Sequence, residues 1–101
     1  MYSLLRSVEF DSWLANLGDP RGKARIVARL ISAELGNFGD CKPAGQGVSE
    51  MRIDSGPGYR VYFVRYGKQV YLLLLGGDKA SQKRDIERAK KMAKEIGKAK
   101  E

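Results

Sequence analysis

Residues 70–75, Val-Tyr-Leu-Leu-Leu-Leu, are the longest uninterrupted apolar run in the chain. The run is far short of the ~20 residues that span a bilayer. It shows no alternation, so it has no polar face to give to water. It reads as a central strand covered on both sides. Turn chemistry brackets it, with Gly67-Lys68 before it and Gly76-Gly77-Asp78 after it. A sheet must therefore form around this segment.

The flanking periods supply the other elements. Phe10, Trp13, Leu14 and Leu17 recur at i, i+3, i+4 and i+7, the apolar stripe of a helix. Gly18-Asp19-Pro20 ends that helix and opens the next, with Asp19 as N-cap and Pro20 in the first turn. The second helix runs to about Leu35, with Ile26, Val27, Leu30, Ile31 and Leu35 toward the core. Arg21, Arg25 and Arg29 lie four apart and form a basic ridge. Residues 37–47 contain glycines and Pro43 without core periodicity and read as a loop. Residues 48–54 and 59–66 alternate or are β-branched and aromatic, and read as strands joined by Ser55-Gly56-Pro57-Gly58. Residues 80–96 return to helical spacing, ended by Gly97. With a weak opening strand at residues 2–5, the order is β-α-α-β-β-β-α. This is an α+β fold in which an N-terminal helical hairpin packs on a small antiparallel sheet, with a C-terminal helix. Residues 1–101 make one domain, without internal repeats.

Matching the apolar sets of the two best strands pairs Ile53 with Val61 and Met51 with Phe63. The other face then gathers Glu50, Arg52, Arg60 and Tyr62, and the strand at residues 70–75 leads toward Lys79. Arginine offers bidentate hydrogen bonds to phosphate oxygens, and tyrosine a flat face for a nucleobase. A solvated sheet face laced with ordinary ion pairs would carry the same residues. Likewise, the Arg21/Arg25/Arg29 ridge and the basic last helix, with Lys83 and Arg84 in its first turns, suit either nucleic acid or plain solvation.

Charge and rare residues narrow the chemistry. With 19 Lys+Arg against 12 Asp+Glu the net charge is +7, which favours an anionic partner. Histidine is absent, which removes His-dependent triads and HExxH zinc sites. The lone Cys41 makes neither an internal disulfide nor a cysteine-built zinc site. The first ten residues lack the charged start and apolar stretch of a signal peptide, so a cytoplasmic location without a membrane partner is expected.

Three segments together resemble a known family. They are Gly47-Val48-Ser49-Glu50-Met51-Arg52-Ile53, Gly56-Pro57-Gly58-Tyr59-Arg60-Val61-Tyr62-Phe63 and Leu73-Leu74-Leu75-Gly76-Gly77-Asp78-Lys79. With Gln82 and Asp85-Ile86 after them, they resemble the addiction-module killer proteins of the HigB type, in the RelE/ParE toxin superfamily. Trp13-Leu14 and Gly36-Asn37-Phe38-Gly39-Asp40 extend the resemblance over nearly the whole chain.

The resemblance implies a compact RelE-like fold and a toxin of a type II toxin–antitoxin system. It implies cleavage of messenger RNA on the ribosome by metal-independent attack of the ribose 2′-hydroxyl, without a cofactor. Its partner would be a helix-turn-helix antitoxin, with operator DNA bound only through the complex. Arg60 matches the arginine of the family's strand motif, Arg52 matches a basic position in the preceding strand, and Lys79 sits near the basic position that follows the third. Glu50 is then a candidate base, and Tyr62 a stacker or proton donor. Arg21, Arg25, Arg29, Lys83 and Arg84 are candidates for ribosomal RNA contacts. Some relatives use histidines, or a tyrosine on the last helix. Neither is present here, so the catalytic set is reassigned or cleavage is slow or absent. ParE-type members inhibit DNA gyrase without cleaving anything, and fold alone does not choose between these activities. Convergence of Arg52, Arg60 and Lys79 on one concave face would favour an enzyme; dispersal would favour a gyrase inhibitor or a plain nucleic-acid-binding module.

Overall fold

A computed structural model of the protein describes residues 1–100 in backbone and 1–97 in side chain. Glu101, which the single-domain reading also covers, lies outside the described residues. The elements are β1 (Ser3–Arg6), α1 (Val8–Ala15), α2 (Pro20–Glu34), β2 (Cys41–Gly45), β3 (Val48–Ile53), β4 (Tyr59–Gly67), β5 (Val70–Asp78) and α3 (Gln82–Lys100). They form the expected α+β architecture around one sheet of order β1-β5-β4-β3-β2. Strands β2 to β5 are an antiparallel meander, and β1 joins β5 in parallel, so the sheet is mixed. Among the described residues no helix is long and apolar enough to cross a membrane.

Local chemistry starts the helices and ties them to the sheet. The Ser7 hydroxyl caps α1 by accepting from Phe10 N at 2.9 Å, and it donates to Leu74 O on β5 at 2.6 Å. Asp19 caps α2 by accepting from Gly22 N at 3.0 Å, ahead of Pro20. Its other oxygen accepts from the Tyr59 hydroxyl at 2.7 Å, which pushes that phenol up to about 12.

Helices α1 and α2 cover one face. Phe10, Leu14, Ile26, Leu30 and Ala33 pack there on Met51, Ile53, Val61, Phe63 and Leu73. Ile31 and Leu35, expected in this core, are exposed. The stripe of α2 that meets the sheet is Ile26, Leu30 and Ala33, one helical row away. Helix α3 covers the other face, where Ala89, Ile86, Met92, Ala93 and Ile96 pack on Val48, Tyr62, Leu74 and Leu75. The apolar run at residues 70–75 is thus interior, between β1 and the central β4, and covered on both faces.

Several boundaries differ from the sequence reading. The loop at residues 37–47 contains β2, an edge strand that joins β3 through Gln46 and Gly47. Both turn residues have positive φ, 53° and 80°, the geometry of a tight hairpin turn. The pairing of β3 with β4 is shifted by two residues, matching Ile53 with Tyr59, Met51 with Val61 and Arg52 with Arg60. A shift of two keeps every side chain on its face, so patterning alone does not detect it. The turn after β4 is Lys68-Gln69. Gly97 lies inside α3, which continues to Lys100.

Gly76-Gly77-Asp78 does not break β5 but belongs to it. A Cβ on Gly76 would collide with the Trp13 indole, and one on Gly77 would overlap the Asp85 carboxylate. The two glycines therefore admit a side chain from each face, Trp13 of α1 and Asp85 of α3.

Candidate anion-binding cleft

The register places Arg52 directly opposite Arg60. Like charges across a strand pair repel, and each guanidinium has its own carboxylate. Arg52 Nη2 donates to Asp40 Oδ1 at 3.0 Å, and Arg60 Nε lies 3.7 Å from Glu50 Oε2. The Arg52 hydrogen bond holds Asp40 below the usual carboxylate range, and Asp40 in turn raises Arg52. Asp40 was not foreseen; it lies in the loop before β2, and nothing in its spacing marks it.

Arg52, Arg60 and Lys79 line one cleft of about 420 Å³, together with Asp40, Ile53, Asp54 and Gly58. Gly58 sits between two of the cations. A Cβ there would meet Lys79 Cβ at 3.5 Å and Arg60 Nη1 at 3.6 Å. Its φ of 83° is a conformation that suits glycine, so the turn brings backbone rather than a side chain to the cleft floor.

Glu50 and Tyr62 do not form an exposed patch. Helix α3 covers this part of the sheet, and the two residues are 1% and 0% exposed. Tyr62 therefore presents no face for base stacking. Its hydroxyl donates to Glu50 Oε2 at 3.3 Å, and burial followed by the Glu50 charge pushes its phenol far above the ordinary value. Gln82 Nε2 donates to the same oxygen at 2.7 Å from the first turn of α3. Among the described residues Glu50 Oε1 and Arg60 Nε have no hydrogen-bond partner. Gln82 was not foreseen as a site residue, although it stands in the segment that carries the family resemblance.

The other basic residues separate. Arg21 and Arg25 are exposed on α2. Arg29 turns inward and donates to Arg52 O at 2.6 Å and Phe38 O at 3.0 Å, fixing the backbone at the cleft wall. Lys83 and Arg84 are exposed on α3, on the opposite side of the sheet from α2. Arg84 lines a second groove, between α1 and α3, with Trp13, Glu9, Asp85 and Arg88. Burial raises the Cys41 thiol, so it is a poor nucleophile. Among the described residues no group of three His, Cys, Asp or Glu side chains is placed to hold a metal ion.

The fold and the cleft define a small basic α+β protein in which Arg52, Arg60 and Lys79 line one cleft. The chain is 47% identical over 91 residues to an uncharacterized protein of Haemophilus influenzae, a match covering 90% of this chain and 92% of that one. It belongs to the same family as that protein. No protein-family model matches the chain.

Proposed function

We propose that this protein is the toxin of a type II toxin–antitoxin system, a ribosome-dependent endoribonuclease that cuts messenger RNA in the cytoplasm and so inhibits translation. The observation that carries this reading is the meeting of Arg52, Arg60 and Lys79 in one cleft. A surface that only attracts a polyanion can spread its charges. Attack on a phosphodiester needs them gathered at a single phosphoryl group, where negative charge accumulates in the transition state.

The ribose 2′-hydroxyl attacks the adjacent phosphorus, the bond to the 5′-oxygen breaks, and a cyclic phosphate and a 5′-hydroxyl result. Arg60 and Arg52 stabilise the phosphoryl oxygens. Lys79, exposed at the cleft edge, donates a proton to the leaving oxygen. The proton of the attacking hydroxyl needs an acceptor. Asp40 is engaged by Arg52 and is held acidic, and Asp54, also on the cleft wall, is the acceptor. The exposed cations Arg21, Arg25, Lys83 and Arg84 contact ribosomal RNA away from the chemistry. A helix-turn-helix antitoxin neutralises the protein, and operator DNA is bound only through that complex. The net charge of +7 speeds both encounters.

The test is primer extension on messenger RNA after a pulse of expression, with wild type and Arg60→Ala. Discrete cuts phased with the reading frame are expected. The Arg60→Ala protein, folded by circular dichroism, loses on the order of 10²–10³ in cleavage rate. Intact messenger RNA alongside gyrase-dependent DNA damage would replace this reading with that of a non-catalytic inhibitor.

A further inference from the structure

Glu50 is the strongest anomaly in the molecule. A carboxylate 1% exposed accepts two hydrogen bonds on one oxygen and none on the other. Among the described residues its ion-pair partner is Arg60, whose Nε is itself buried without a hydrogen bond. Burying such groups half-satisfied costs free energy that an apolar pair of the same volume would not. The arrangement has a clear geometric effect. Arg60 spans from the buried carboxylate to the cleft, with its side chain 12% exposed. Glu50 is in turn fixed by Gln82 Nε2 at 2.7 Å, so the first turn of α3 sets where the carboxylate stands.

We propose that Gln82 and Glu50 are positioning residues that hold the Arg60 guanidinium in the cleft as the binding group for a phosphate or phosphodiester anion. This rests on the reading of the cleft as an anion site and goes beyond it by naming the support that the site needs. Glu50, with no opening to the cleft, acts through Arg60 and takes no proton from substrate. The Nε edge of the guanidinium faces Glu50 and Nη1 donates to Tyr59 O at 3.4 Å, which leaves Nη2 to serve the anion. The present Nε–Oε2 separation of 3.7 Å is just beyond hydrogen-bond reach, so a small movement of Arg60 on binding an anion changes the surroundings of its Nε–H.

The experiment uses the full-length, uniformly ¹⁵N-labelled chain and inorganic pyrophosphate as the anion probe, followed by the Arg60 Nε–H resonance. In the wild type, pyrophosphate is expected to shift that resonance and slow its exchange with water. Gln82→Met keeps the side-chain length and removes the donor. It is expected to keep the backbone amide spectrum and to weaken pyrophosphate binding about tenfold, the usual scale for a lost hydrogen bond to a charged group. Gln82→Asn, a shorter donor, should recover part of the loss. A wild-type Arg60 Nε–H that ignores pyrophosphate overturns the proposal without any variant. So does a folded Gln82→Met protein that binds as the wild type does. RNA cleavage is assayed on the same samples. A protein that cuts no RNA yet loses pyrophosphate binding with Gln82→Met removes the endoribonuclease reading and leaves this inference standing.

Discussion

Under α1 and α2 the sheet presents Met51, Ile53, Val61, Phe63 and Leu73, and the helices meet it with apolar side chains. Under α3 it presents Val48, Tyr62, Leu74 and Leu75, and then a buried carboxylate with its amide and phenol partners. The first face is finished by apolar packing, with its polar ties, Tyr59 to Asp19 and Arg29 to Arg52 O, at the margin. The second stops being apolar where β3 and β4 run toward Arg52 and Arg60. Polar burial of this kind is costly unless every group is paired, and here Glu50 Oε1 and Arg60 Nε are not. Natural proteins break such rules chiefly at functional sites. The face that breaks them is the one beneath the cleft.

Substitutions on the two faces should therefore fail in different ways. Ile26→Ala, in the apolar layer, is expected to cost about 2–5 kcal/mol of unfolding free energy, as large-to-small core changes do. Its folded fraction should bind pyrophosphate as the wild type does. Urea unfolding paired with a binding titration checks both, and weakened binding by folded Ile26→Ala would mean that the faces are coupled.

The adjacent glycines of β5 give a closer contrast. Gly76→Ala collides with the Trp13 ring and is expected to cost about 1–3 kcal/mol, the usual range for overpacking. Gly77→Ala collides with Asp85, whose carboxylate accepts from Ser81 Oγ at 2.5 Å at the start of α3. The Asp85 side chain can turn away more readily than an indole can, so Gly77→Ala should cost less stability. Because Gln82 stands next to Ser81, it should disturb pyrophosphate binding more. Thermal melts and the same titration separate the two variants.

The smallest expected effect is pH-dependent. Hydrogen bonds to Tyr59, Arg52 and Arg88 hold Asp19, Asp40 and Glu9 below their ordinary pKa values. Groups depressed in the folded state stabilise it fully above the ordinary carboxylate range, near pH about 4, and lose that contribution as pH falls through the folded values. Stability should therefore drop on acidification. Asp19→Asn, which stays uncharged throughout, should flatten the slope when urea midpoints are measured between neutral pH and pH about 3.

The helices, four of the five strands and the interior place of β5 follow from period, caps and the apolar run. The parity of β3 against β4 was also legible, and with it the common face of Glu50, Arg52, Arg60 and Tyr62. Which neighbour covers that face was not. The amphipathic pattern of α3 says that one side is buried, but not that it lies over Glu50 and Tyr62. The two-residue shift in pairing was invisible for the same reason, since alternation repeats every two residues. Strand β2 escaped notice because Pro43 and Gly45 are edge-strand residues that also make ordinary loops. Asp40 and Gln82 reach Arg52 and Glu50 from 12 and 32 residues away, and no local spacing reports such contacts.

The parallel pairing of β1 with β5 bears on how the chain comes together. Ser7 Oγ reaches Leu74 O across 67 residues of sequence. Strands β2 to β5 close through short turns, whereas β1 waits for a loop whose closure entropy is far larger. On a growing chain the first strand therefore has no partner until residues 70–73 have been made. Once made, β5 is an open border of the meander until β1 docks on it, rich in leucine on both sides, which is the kind of edge that recruits other chains. Ser3–Arg6 is the segment that closes that border, so four residues at one end of the sequence guard the solubility of a strand written near the other.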